Sequence, residues 1–212
     1  MGLSDVPPDL LRRARALLGD APRALLGITG VPGAGKTTLA EELVAALNAE
    51  TPGQAVHVPM DGYHLADSVL EAHGTRARKG AAETFDGWGY VELLRLLRTC
   101  PAHPVFAPGF DRDLEQPLAG AIEVPASARL VVSEGNYLLL DAPPWSHVRE
   151  LVDEVWFCEA DPQRRTAALI GRHVTFGKEP EAARSWVAAV DEPNAALVAA
   201  TRERADLVVR TY

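Results

Sequence analysis

Apolar residues along the chain fall into short unbroken runs set between polar, glycine-bearing stretches, and helical spacing appears only in particular windows. Residues 8–18 read as an amphipathic helix, and residues 23–29 as an apolar strand running straight into a glycine-rich turn. In 36–48, Leu39, Leu43, Val44 and Leu47 recur at helical spacing. A second strand, 55–60, ends at Asp61; residues 64–87 are polar with weak periodicity, as expected of a functional loop region, and 90–98 is a helix. Segments 105–107, 122–124, 130–133 and 155–158 read as strands, some apolar enough to be buried on both faces, which predicts a central parallel sheet. Pro162 is placed to open a helix, helical pattern continues to residue 205, and 207–209 forms a last strand. Strands alternating with helices predict an α/β fold, and one domain over 1–212.

Composition narrows the function classes. Hydrophobic residues at 47% and charged residues at 24% fit a globular protein, and no apolar run is long enough to span a bilayer. The N-terminus lacks the order of a secretory signal, so a cytoplasmic location and no membrane partner are expected. Cys100 and Cys158 have no metal-binding or redox spacing and read as reduced thiols. A net charge of −8 argues against general binding to nucleic acid, which needs a basic face. Against 18 arginines there are three lysines, Lys36, Lys79 and Lys178. Such a bias suggests that lysine survives where a compact ammonium is needed, though chance explains Lys79 and Lys178 about as well.

The strongest chemical signal is Gly30-Val31-Pro32-Gly33-Ala34-Gly35-Lys36-Thr37, a GxxxxGK[ST] motif between a predicted strand and a predicted helix. Glycines let backbone N–H groups wrap around phosphates, the helix N-terminus adds its dipole, Lys36 reaches the outer phosphates, and Thr37 offers a hydroxyl to magnesium. The fold class is therefore a P-loop NTPase-type three-layer arrangement with a mainly parallel sheet. Asp86-Gly87-Trp88-Gly89 fits the DxxG of a GTPase, but no lysine follows an asparagine, so a guanine-reading NKxD is missing and the match is treated as coincidence. Asp61, in MDGYH, lies where a carboxylate accepts the proton of an attacking hydroxyl; the competing reading is a turn-forming Asp before Gly. Glu134, after strand 130–133, stands where Walker B carboxylates support magnesium.

Together the P-loop, MDGYHL (60–65), RKGAAETFD (78–86), FDR (110–112), SEGNYLLLD (133–141) and EPNAALVAATRERADLVV near the end resemble the phosphoribulokinase, uridine kinase and pantothenate kinase superfamily over nearly the whole chain. They are similar in particular to the bacterial compact kinases labelled nucleoside/nucleotide kinase-like or fructose transport system kinase. The resemblance implies that Gly30, Gly33, Ala34, Gly35, Lys36, Thr37 and Thr38 bind ATP, that Thr37 and Glu134 serve Mg²⁺, and that Asp61 is the base. It also implies an acceptor pocket from Tyr63, His64, Arg78, Lys79, Asp86, Asp111 and Arg112. A helical lid aligns with 164–178, where Arg165 and Arg172, seven apart, share a helix face and Arg172 adds a catalytic cation. The family's usual lid spelling is not kept here, and Lys178 is the substitute cation.

His57, His73, His103, His147 and His173 have no ligand spacing and read as structural or surface residues. Trp145, Trp156 and Trp186 read as core, and Trp88 and Tyr90 as either acceptor contacts or a helix start. The expected function is γ-phosphoryl transfer from ATP to an alcohol on a small molecule, first a sugar such as fructose. Alternatives are pantothenate or a nucleoside as acceptor, or a nucleotide-binding regulator that transfers nothing. A homodimer stays open.

Overall fold

The computed structural model describes residues 6–211. In chain order the elements are α1 (Pro8–Leu17), β1 (Ala24–Gly30), α2 (Lys36–Glu50), β2 (Ala55–Pro59), α3 (Asp67–Ala72), α4 (Gly87–Arg98), β3 (Val105–Asp111), β4 (Gln116–Val124), β5 (Leu130–Glu134), α5 (Val148–Leu151), β6 (Glu154–Glu159), α6 (Pro162–Thr175), α7 (Pro180–Trp186), α8 (Glu192–Ala199) and β7 (Leu207–Arg210). Five strands form a parallel sheet in the order β2-β5-β1-β6-β7.

β1 lies at the centre of the sheet, and all seven of its residues are buried. That explains its unbroken apolar run: a strand covered on both faces has no solvent side on which to place polar residues. Alternate residues serve opposite layers. Leu25, Val131 and Val155 pack with Tyr90, Leu94 and Trp145 from the α4–α5 side. Leu26, Ile28 and Val132 pack with Leu10, Leu43 and Leu47 from α1 and α2. The three layers follow directly, each fully buried aliphatic side chain contributing roughly 1.5–3 kcal/mol.

Two predicted strands, 105–107 and 122–124, do not join this sheet. They are parts of β3 and β4, an antiparallel hairpin of its own with Val105 opposite Val124. Most of β4 is exposed, so it could not occupy a doubly covered layer. The 64–87 region is more ordered than its weak periodicity predicts, holding α3 and 3₁₀ turns at Arg76–Arg78 and Ala82–Thr84. α4 begins three residues earlier than expected because the Asp86 carboxylate caps it, accepting the Gly89 N–H at 2.8 Å. The long helical pattern after Pro162 is broken at Gly177 (φ 92°) and again by a π-turn at Val187–Asp191 just before Pro193. A proline has no N–H for the α-helical ladder, and the wider turn absorbs that loss.

Candidate active site

β1 delivers the chain into a loop that only glycine can follow at three points. Gly30 has φ 146°, and a Cβ there would lie 2.5 Å from the Cys158 carbonyl oxygen. Gly33 (φ 81°) packs so closely on α6 that a Cβ would meet Leu169 Cγ at 2.8 Å. Gly35 (φ 77°) stands at the N-cap of α2. The loop is thus pre-shaped to turn amide N–H groups toward an oxyanion at a helix N-terminus. The Ala34 carbonyl accepts the Thr211 hydroxyl at 2.8 Å, tying the end of β7 to the loop. Lys36 is buried and donates to the Val31 carbonyl at 3.2 Å. Burial holds its ammonium pKa below the ordinary value, against the opposing pull of Glu134, Cys158 and Asp61. Thr38, one position further along α2, is exposed.

Parallel register brings the acids to the same edge of the sheet. Glu134 lies opposite Ile28 of β1 on one side and Pro59 of β2 on the other, and the turn Met60–Tyr63 that follows β2 carries Asp61. The Thr37 hydroxyl donates to Glu134 Oε1 at 3.0 Å. Arg112 Nη2 donates to Asp61 Oδ2 at 2.6 Å, and His64 Nδ1 lies 2.8 Å from the Asp61 carbonyl oxygen. Burial works to raise the Asp61 pKa, but His64, Arg112 and Lys36 together hold it below the usual carboxylate value. Glu134 goes the other way: burial, helped by the charge of Asp61, pushes it up to about 7. His57 is kept neutral by burial at about 4, and its Nε2, 3.9 Å from Glu134 Oε1, has no hydrogen-bond partner.

Among the described residues no group of three or more His, Cys, Asp or Glu is placed to hold a metal unaided. The donors at this edge are instead hard oxygens, one hydroxyl and two carboxylates. That set suits Mg²⁺, which usually takes one or two protein carboxylates and completes its shell with water and substrate phosphates.

Lys36, Thr37, Asp61 and Glu134 line a cavity of about 220 Å³. His64, Lys79 and Arg112 line it too, with Phe110 from the hairpin. From α6, α7 and the turn between them come Arg172, Phe176, Lys178 and Trp186, and His173 Nε2 pairs with Asp191 Oδ2 at 2.8 Å. Lys178 lies 4.5 Å from the centre of the Trp186 ring, so Trp186 is a wall of the cavity and not the core residue its surroundings suggested.

Four expected acceptor residues are used elsewhere. Arg78 is exposed and pairs with Glu83 at 2.7 Å. Asp86 caps α4. Asp111 Oδ1 accepts the N–H groups of Asp113 and Leu114, each at 2.9 Å, so it shapes the tip of its own hairpin. Tyr63 packs edge-on against Tyr90 at 5.5 Å, and Tyr90 itself is wholly buried against Ser133, with 2.7 Å between the hydroxyls. Trp88 is exposed and lies against His147. Arg165, expected at the phosphates, is buried; it reaches Glu192 at 2.5 Å and lines a different cleft, of about 620 Å³, between the end of β6, α6 and α8. Arg165 also donates to the Pro32 carbonyl of the P-loop at 3.4 Å, whereas Arg172, seven residues further along α6, lines the cavity, where its charge acts on Lys36.

Arg76, Phe110 and the His173–Asp191 pair belong to the cavity but were not singled out as site residues by sequence. Phe110 is the first residue of the FDR segment quoted for the resemblance and Arg76 lies two residues before RKGAAETFD, and that was the available signal. Nothing in the spacing of His173 and Asp191 announces their pairing.

The family model described as methylmalonyl Co-A mutase-associated GTPase MeaB matches residues 5–60, which contain the P-loop. A relative from Schizosaccharomyces pombe named "Putative uridine kinase C227.14" is 34% identical over 174 residues, 80% of this chain and 74% of that protein. "Uncharacterized protein YggC" of Escherichia coli K12 is 34% identical over 211 residues, covering 98% of this chain and 86% of its own length. Among solved structures, the "putative fructose transport system kinase" from Silicibacter sp. TM1040 superimposes with a TM-score of 0.86 at 37% identity, covering 99% of both chains.

Proposed function

The chain belongs to the uridine kinase-like family of P-loop kinases, and from that premise we propose that it transfers the γ-phosphoryl group of ATP to a hydroxyl of a small polyhydroxylated molecule of sugar size. The observation that carries this reading is the juxtaposition at one sheet edge of Lys36, the Thr37–Glu134 hydrogen bond and Asp61, all facing one cavity. A regulator that only binds nucleotide needs no second carboxylate beside the phosphate cradle.

In the proposed reaction the acceptor oxygen bonds to the γ-phosphorus while the bond from that phosphorus to the β–γ bridging oxygen breaks, releasing ADP. Asp61 orients the hydroxyl and takes its proton, which then passes to solvent. Because Arg112, His64 and Lys36 keep Asp61 ionised, it is ready as an acceptor at neutral pH but is a weak base. Orientation is therefore the larger part of its role, in keeping with a loose transition state. Lys36, now on the Val31 carbonyl, exchanges that bond for a phosphate oxygen, and Arg172 adds charge from the lid. Mg²⁺, when bound by Thr37 and Glu134, would supply charge neutralisation at the phosphates. The lid, 164–178, closes to exclude water that would otherwise compete with the acceptor.

The test is ADP release measured over a panel of polyols, hydroxy acids and nucleosides, with and without Mg²⁺. Acceptor-dependent release that needs the divalent ion supports the kinase reading. ATP binding with no release for any acceptor, or hydrolysis indifferent to acceptor, would return the regulator reading.

A further inference from the structure

Opposite the P-loop, the cavity ends in a patch of cations. Arg76 and Lys79, from the 3₁₀ turn and the residue after it, both line the cavity, as does Arg112 from the hairpin. Arg76 Nη2 and Lys79 Nζ both pair with Asp67, each at 2.7 Å, on its two separate oxygens. Asp67 is not part of the cavity wall. Two positive groups therefore face the cavity while the single carboxylate they share sits outside it. Phe110 fixes the patch from beneath: Lys79 Nζ is 5.6 Å and Arg112 Cζ 4.9 Å from its ring centre. Lys79 is further held by the Glu115 carbonyl, and its side chain is only 8% exposed.

Lys and Arg side chains donate hydrogen bonds and cannot accept them. Two acids also line this end: Asp61, which already receives Arg112, and the exposed Glu115 at the hairpin tip, whose carbonyl receives Lys79. A neutral sugar hydroxyl needs both a donor and an acceptor around it, whereas an oxyanion needs donors alone. Arg76 and Lys79 already share Asp67 outside the cavity, and an anion inside it would give both a charged acceptor on that side, which a neutral hydroxyl does not.

We propose that the acceptor is a hydroxylated anion, bearing a carboxylate or phosphate held by Arg76, Lys79 and Arg112 while its free hydroxyl meets Asp61. This rests on the kinase reading and narrows its acceptor from sugars in general to sugar acids or sugar phosphates. Such a substrate must come from a reaction that oxidises or phosphorylates a polyol.

The experiment compares three matched acceptors with the full chain and Mg-ATP: a hexose, its aldonic acid and its 6-phosphate. One of the two anions is expected to exceed the hexose in kcat/KM by about 10²-fold or more, since a site built for a charged group discriminates strongly against its absence. Which anion wins identifies the carboxylate or the phosphate. Lys79→Gln and, separately, Arg76→Gln are expected to raise that acceptor's KM about tenfold with the KM for ATP unmoved. A hexose used as well as either anion overturns the inference and leaves the kinase reading standing. If none of the three is phosphorylated, the kinase reading is left to the wider acceptor panel, and calorimetric titration of the same two anions decides the site by itself. Binding weakened by both variants supports it, and no binding of either anion overturns it.

Discussion

The two ends of the cavity are built differently. The phosphate cradle comes from one continuous segment, 30–37, whose shape is set by Gly30, Gly33 and Gly35 at positive φ and by the start of α2. The opposite end is assembled from the turn at Met60–Tyr63, the turn at Arg76–Arg78 and the β3–β4 hairpin, joined by the Arg112–Asp61 ion pair and by Lys79 on the Glu115 carbonyl. A backbone cradle reads a chemical group shared by every ATP, so it has one solution. An end made from side chains on separate loops can be changed residue by residue without disturbing the sheet, as expected where acceptor choice resides.

The comparison breaks most visibly at Asp61, which sits at the proposed acceptor end and lines the same cavity as Lys36 and Thr37. Asp61→Asn keeps the size of the side chain but cannot take the proton. Turnover is expected to fall by roughly 10²–10⁴-fold with Mg-ATP binding retained, and a near-native kcat in steady-state kinetics would remove Asp61 from the chemistry. At the other end, Lys36→Ala is expected to cost on the order of 10²–10³-fold in turnover, as for loss of one charge-stabilising donor, and to weaken ATP binding as well. Should its effect fall on the acceptor KM alone, the two ends have been assigned the wrong way round.

Gly62 tests whether the acceptor end depends on backbone fit. A Cβ there would lie 2.2 Å from the Pro108 carbonyl oxygen, so Gly62→Ala must push the Asp61 turn and the hairpin apart. The expected result is a loss of roughly 10- to 10²-fold in kcat/KM for the acceptor, with the KM for ATP little changed. Equal loss on both substrates would mean that the two ends move as one body.

The smallest expected effect is on stability and concerns Glu134. Its carboxyl titrates near 7 in the folded chain against an ordinary value of 4.5. Between those values the folded state holds a proton that the unfolded state has released, so stability falls as pH rises through this window. Above about pH 7 the nucleotide-free fold carries a buried carboxylate at full cost. Glu134→Gln removes that cost, and its thermal midpoint should exceed the parent's by several degrees at pH 8 and match it near pH 4. A midpoint difference independent of pH would trace the change to packing. The same variant should lose Mg²⁺-dependent transfer, so stability and function part at this residue.

Much of the molecule was readable from the chain itself. The five strands of the sheet, α1, α2 and α4 were placed to within a few residues, because a doubly buried strand and a one-sided helix each leave a local pattern. That Lys36, Thr37, Asp61 and Glu134 gather at one cavity was legible for a related reason: each stands at the C-terminal end of an apolar strand or in the loop and turn that follow it. Asp111, Asp86, Arg78 and Arg165 show where such reading stops. Each was placed with the site by its segment, and the structure directs each to a nearer partner: a hairpin tip, a helix cap, Glu83 and Glu192.

The sequence by itself determined the sheet, the phosphate cradle and the residues at the strand ends, because backbone conformation and burial period are set by neighbours a few positions apart. Only the tertiary structure decided that Arg76 and Lys79 share Asp67, that Phe110 lies beneath Lys79 and Arg112, and that Arg172 rather than Arg165 faces Lys36. Long charged side chains have many rotamers and more than one partner within reach. Which partner they take depends on how separate loops pack together, and no short window of sequence contains that information.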